Sequence, residues 1–225
     1  MCDPSMIGPD TTLAELAATW AGASRVFQRH ELDYCCRGAQ TLAAACRERR
    51  LPVAELVAEL QAAVTPLEPA ADWSRLPQVQ LIAHLVDHFH AGHRRELPRL
   101  QAMAGKVEQV HARHPRCPHG LADALATTAH DLELHMQKEE HVLFPLLVAG
   151  GAKSAWAPIQ CLTAEHDEHG RALARLRELA HAFVAPDDAC PTWRALYLGL
   201  HEFERAVMEH IHLENHVLFP RALRG

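Results

Sequence analysis

At 225 residues and 48% apolar side chains, the chain has room for one or two domains and a sizeable core. A net charge of −6, with only short basic runs such as residues 47–50, argues against a nucleic-acid partner. The opening MCDPSMIGPD lacks the basic and apolar segments of a signal peptide, and no window is apolar for the roughly 18 residues a membrane span needs, so a cytoplasmic protein without a membrane partner is expected.

Thr12 caps a helical pattern over residues 12–20 (TLAELAATW), and 23–30 continue it. ELDYCCRGAQ, residues 31–40, ends in a glycine-containing turn. Residues 41–50 are alanine-rich and helical, and Pro52 takes a first-turn position in a helix reaching about Val64. These elements make a small helical amino-terminal domain over 1–65. TPLEPAADWSRLP (65–77) holds three prolines and little periodicity, which marks 66–77 as a linker. Four long helical stretches follow within 78–225, at about 77–104, 118–149, 155–183 and 192–222. The breaks between them, at 113–120, 149–154 and 184–191, carry Pro or Gly, and no strand pattern stands out. The fold class expected is all-α: an antiparallel four-helix bundle behind a small helical domain.

Seven cysteines, an odd number at irregular spacing, do not suit a secreted disulfide framework, so reduced thiols are expected. Cys35 and Cys36 are adjacent. A bridge between them would close a strained ring, which leaves thiol redox exchange or a soft-metal contact as functional readings. The plainer alternative is two small apolar residues in a turn.

The chain has eighteen histidines, and histidine is the commonest metal ligand. HMQKEEHVLFP (135–145) returns in register as HIHLENHVLFP (210–220). Residues four apart share one face of a helix, so His135 pairs with Glu139 and His210 with Glu214. The first bundle helix offers His84, His88, His90 and His93, and the third offers His166 and His169. One histidine from each, added to the repeated pairs, gives four imidazoles and two carboxylates. Such a set suits two iron or manganese ions bridged by the glutamates. Spacing leaves the choice on the first helix open. A lone helical histidine is more often a surface or core residue than a ligand; the doubled motif outweighs that reading. His141 and His216, two residues past each glutamate, are rotated by about 200° and should face away.

LDYCCRGAQTL (32–42), IAH (82–84), HRRELP (93–98), HMQKEEHVLFP (135–145), EHDEHG (165–170) and MEHIHLENHVLFPRAL (208–223) together resemble the repair-of-iron-centres family. These are di-iron, hemerythrin-like proteins that bacteria use against nitrosative and oxidative damage to iron–sulfur clusters. The resemblance implies metal ligands at His84, His135, Glu139, His166, His210 and Glu214. It also implies two iron ions with an oxo or hydroxo bridge, although manganese shares these ligands. It implies damaged iron–sulfur proteins as clients, nitric oxide or oxygen as small ligands, and a role for Cys35 and Cys36 in redox chemistry or partner contact. A homodimer is compatible with it. The implied function is cluster repair by supplying iron. The alternatives are a nitric-oxide-reducing di-iron enzyme and an oxygen-binding or sensing protein, the latter needing a further imidazole from His88 or His169.

Overall fold

Thr12 and Thr41 sit in extended backbone, and their hydroxyls accept the N–H groups of Glu15 and Ala44 at 3.2 Å each. These caps start two of the helices of a computed structural model that describes residues 4–66, 73 and 75–224. Cys2 and most of the expected linker, residues 67–72 and 74, lie outside the described residues. Contacts group the chain into two units, one formed by 1–81 with 208–224, the other by 82–207.

In the first unit, α1 (Leu13–Thr19), α2 (Ala23–Arg29), α3 (Leu42–Arg49) and α4 (Val53–Ala63) close over a core that includes Leu13, Leu16, Phe27, Leu42 and Leu60. A two-residue strand, β1 (Trp20–Ala21), pairs antiparallel with β2 (Thr65–Pro66), with Trp20 opposite Pro66. Sequence patterning anticipated no strand here. The cause is local: Gly22 turns the chain at φ 92°, and a Cβ there would stand 2.9 Å from the Ala63 carbonyl oxygen.

The carboxy-terminal segment 208–224 belongs to this unit through the cysteine loop. The carbonyl of Cys35 accepts the Asn215 side-chain amide at 3.1 Å and His216 Nε2 at 2.9 Å, so His216 carries its proton on Nε2. The rings of Tyr34 and His212 lie 5.5 Å apart. Gly38 fits against the same helix, where a Cβ would meet His216 Nε2 at 2.4 Å and the Tyr34 carbonyl at 2.6 Å.

The long helices run in chain order. The first comprises α5 (Gln78–His84), a π segment Leu85–His90 and α6 (Ala91–Val110). The second comprises α7 (Leu121–Lys138), a π segment Glu139–Leu143 and α8 (Phe144–Val148). The third is α9 (Ala152–Leu179). The fourth comprises α10 (Pro191–Leu213), a π segment Glu214–Leu218 and α11 (Phe219–Arg224). In the second unit, α6 packs on α7 and α7 on α9. Gly120 turns the chain into α7 at φ 84°, and Glu108 accepts the Ala122 N–H at 2.7 Å near the start of that helix. Trp193 is fully buried with the His111 and His114 rings 5.0 and 5.1 Å away. The Arg177 guanidinium clamps the buried Glu204 carboxylate, with Nε 2.9 Å from Oε1.

The three π segments were not foreseen from a 3.6-residue period. Two have a visible cause. A proline inside an α-helix lacks an N–H and its ring clashes with the carbonyl four residues back. Pro145 and Pro220 each follow a widened turn, in which the N–H of Phe144 reaches the Glu139 carbonyl and that of Phe219 reaches the Glu214 carbonyl, five residues back. No proline lies at a corresponding position after Leu85–His90.

Gly38→Ala should push the cysteine loop off the 208–224 helix. The expected loss of about 1–3 kcal/mol is read as a lowered thermal or urea midpoint, and an unchanged midpoint would mean the loop absorbs the methyl without strain.

Candidate metal centre

Glu139 begins the π segment of the second helix and is wholly buried. Its Oε1 lies 3.3 Å from His135 Nε2, one turn earlier on α7. Its Oε2 lies 3.3 Å from Nε2 of His90, also wholly buried. The two oxygens of one carboxylate thus face two different imidazoles. His166, from α9, brings its Nε2 to 3.1 Å from that of His135. The ligand atoms of His135, Glu139 and His166 all lie within 4.8 Å of one another, as do those of His90 and Glu139.

The outer ring nitrogens are engaged by carboxylates. His135 Nδ1 is 3.0 Å from Glu165, and His90 Nδ1 is 2.7 Å from Glu140. A carboxylate only accepts, so each Nδ1 carries a proton, which leaves Nε2, the nitrogen facing Glu139, as the one a metal would take. Basic residues hold these outer carboxylates in turn. Lys138 bonds Glu165, and Arg94 bonds Glu140 at 2.7 Å and Glu133 at 2.8 Å. The hydrogen bond from His135 is the main reason the Glu165 carboxyl is held down to about 2.

In the other unit, His210 and Glu214 repeat the pair. Both are buried, with His210 Nε2 3.2 Å from Glu214 Oε1. Glu214 opens its π segment as Glu139 does.

This donor set fits a metal. Imidazole and carboxylate lone pairs converge in a dry interior, where an ionised carboxylate without a cation would be costly. Nitrogen and oxygen donors of this kind suit iron, manganese and zinc.

The sequence-predicted residues are placed unequally. His135, Glu139 and His166 come together. His84 does not join them. It is half-exposed, its ring stacked on that of His88 at 5.0 Å, and the buried position beside Glu139 belongs to His90. The physical reason is the π segment that starts just after His84 and ends at His90, which takes up an extra residue and changes which side chains of this helix share a face. His93 instead packs edge-on against Phe203 at 5.7 Å. His169 is buried with its ring 4.8 Å from that of His135, and burial, then the charges of His135 and His166, push it down to about 3. His141 is exposed, as the 200° rotation implied. Sequence reasoning assigned no role to Glu140 or Glu165, because neighbours of a ligand point in other directions on an ideal helix.

Cys35 and Cys36 lie in the first unit. Their sulfurs are 3.7 Å apart, and Cys35 Sγ is 3.3 Å from Asp33 Oδ1. Asp33 Oδ1 also accepts the Cys36 N–H at 2.9 Å. The hydrogen bond with Cys36, then burial, then the charges of Cys36 and Asp33 push the Cys35 thiol up.

Residues 81–222 match the family described as the hemerythrin HHE cation binding domain, and residues 9–64 match ScdA_N, a domain of unknown function. Among curated relatives, the iron–sulfur cluster repair protein YtfE of Pectobacterium carotovorum is 46% identical over 216 residues, covering 96% of this chain and 98% of the relative. The YtfE of Yersinia pseudotuberculosis serotype IB is 44% identical over 214 residues, covering 95% and 97%. The chain belongs to this family of iron–sulfur cluster repair proteins, built on a hemerythrin-type cation-binding domain. The helical bundle expected from the sequence agrees with that membership, and among the described residues no helix is long and apolar enough to cross a membrane.

Glu165→Gln and Glu140→Gln each remove the charge that holds an Nδ1 proton while keeping side-chain size. Metal affinity, measured by competition with a chelator, should fall about 10–100-fold with little loss of helical signal. Unchanged affinity in both variants would show that these carboxylates only tie helices together.

Proposed function

We propose that this chain repairs damaged iron–sulfur clusters, the activity its relatives are named for, by holding two iron ions and giving up iron to the client. The proposed ligands are His90, His135, Glu139, His166, His210 and Glu214, with His90 in place of His84. The observation that carries the two-ion reading is Glu139, whose two oxygens each face a different imidazole. A carboxylate set in this way is suited to bridging. The in-register repeat supports an equivalent role for Glu214.

Bound iron would supply a redox-active centre with coordination positions left for a small ligand such as nitric oxide or oxygen. The chain's own part is to set the donors. His90 and His135 offer Nε2 because Glu140 and Glu165 keep the protons on Nδ1. Arg94 and Lys138 hold those carboxylates in place. An iron(II) site built from nitrogen and oxygen donors, with no thiolate, sits toward the weak end of the divalent-metal affinity order, which suits an ion that must leave. Manganese shares the donor preference, so metal analysis decides between them. Iron–sulfur proteins are the proposed clients and the cytoplasm the proposed compartment.

Two measurements test this reading. The protein from iron-supplemented cells, and His84→Ala, should each contain about two irons per chain. His90→Ala and Glu139→Ala should lose most of it, with helical content near normal. Iron retained in His90→Ala and lost in His84→Ala would reverse the assignment on the first helix. The iron-loaded protein should then restore activity to an enzyme whose cluster has been damaged by nitric oxide. Full iron content without restoration, together with repeated turnover of nitric oxide, would favour the reductase reading.

A further inference from the structure

The cysteine loop carries a donor set of a different kind. Asp33 Oδ1, Cys35 Sγ and Cys36 Sγ lie within 4.8 Å of one another. The two sulfurs are 3.7 Å apart. A tetrahedral ion with metal–sulfur bonds of about 2.3 Å needs two thiolates about 3.8 Å apart. The carboxylate oxygen, 3.3 Å from the Cys35 sulfur, stands where a third ligand would. Cys35 is buried and Cys36 half-exposed, so the donors are anchored on one side and reachable from the other. Arg37, the nearest cation in sequence, is turned to Glu48 through two hydrogen bonds of 2.6 and 2.8 Å. The loop is held from outside by the bonds of Asn215 and His216 to the Cys35 carbonyl, and by the close fit of Gly38.

We propose that Asp33, Cys35 and Cys36 form a second metal site, taking one thiophilic divalent cation such as zinc or iron(II) through two thiolates and a carboxylate. On binding, two sulfur–metal bonds form and both thiol protons leave to solvent. No electrons are transferred. Three protein ligands leave a fourth tetrahedral position on the accessible side, open to water or to a donor from a partner. The site is independent of the histidine–carboxylate cage, since it uses none of those residues and a softer donor set.

The test uses the full-length, iron-loaded protein with reduced thiols, titrated anaerobically with cobalt(II). Thiolate ligation gives an intense near-ultraviolet charge-transfer band that histidine and carboxylate ligation does not give. The band should grow to one equivalent in the unaltered protein. It should be lost in Cys35→Ser and Cys36→Ser, and cobalt should bind at least about 10-fold more weakly in Asp33→Asn, by analogy with other ligand-sphere changes. Iron content should stay the same in all three variants, with circular dichroism as the check on folding. No thiolate band in the unaltered protein overturns the proposal without reference to any variant. A band that survives in both serine variants also overturns it, by assigning cobalt to other cysteines. A chain that fails to hold iron but shows the band would sink the cage and leave this site standing.

Discussion

Everything proposed for the bundle depends on one buried carboxylate. Glu139 has no exposure, and the effective cost of burying an ionised carboxylate is several kcal/mol unless positive charge meets it. Among the groups at its oxygens are two imidazoles, each of whose far nitrogens is taken by another carboxylate. Once those imidazoles turn Nε2 lone pairs inward as ligands, a metal ion between them and Glu139 would supply that charge. The outer layer follows the same logic. Arg94 and Lys138 neutralise Glu140 and Glu165 at the rim, where water screens them, and leave the interior for the metal. Lysine and arginine thus supply positive charge at the rim, and a bound metal would supply it inside.

The backbone serves the same end. Each of the repeated glutamates opens a π segment, and each segment precedes a helix-interior proline. The widened turn accommodates the proline ring and sets the direction of the side chains around it. Widened turns of this kind are rare in regular helices and frequent at functional sites. Here they coincide with the glutamates that the sequence repeats. A third lies on the first helix directly before α6 and ends at His90.

That backbone detail also sets what could be read from the sequence. The helices, the cap at Thr12, and the breaks at 113–120, 149–154 and 184–191 follow from periodicity, a capping hydroxyl, and Pro and Gly, which act locally; the cap at Thr41 and the helix ends at Val110 and Leu179 come from the structure. His135 and Glu139 were legible because they occur twice in register. His90 was hidden among four histidines within ten residues. Spacing left the choice among them open and His84 came only from the resemblance; a 3.6-residue period does not hold across a π turn, and no local proline announces this one. Glu140 and Glu165 were also illegible, because whether a ligand's neighbour supports another ligand depends on which helices meet. The two-residue pairing of β1 with β2 had no pattern to betray it, since Trp20 and Ala21 are also compatible with a helix end.

The cysteine loop shows why the 208–224 segment carries more than its ligand pair. Its next residues after Glu214, Asn215 and His216, spend their side chains on the Cys35 carbonyl. His216 is the counterpart of His141, which is exposed in the first copy of the repeat. One copy therefore leaves this histidine to solvent, and the other uses it to fix a loop. The repeat supplied a position that faces away from the glutamate, and only the second copy had a loop to meet there. A change at His216 should be felt first by the thiols, through the carbonyl it holds, whereas a change at His141 has no such loop to disturb.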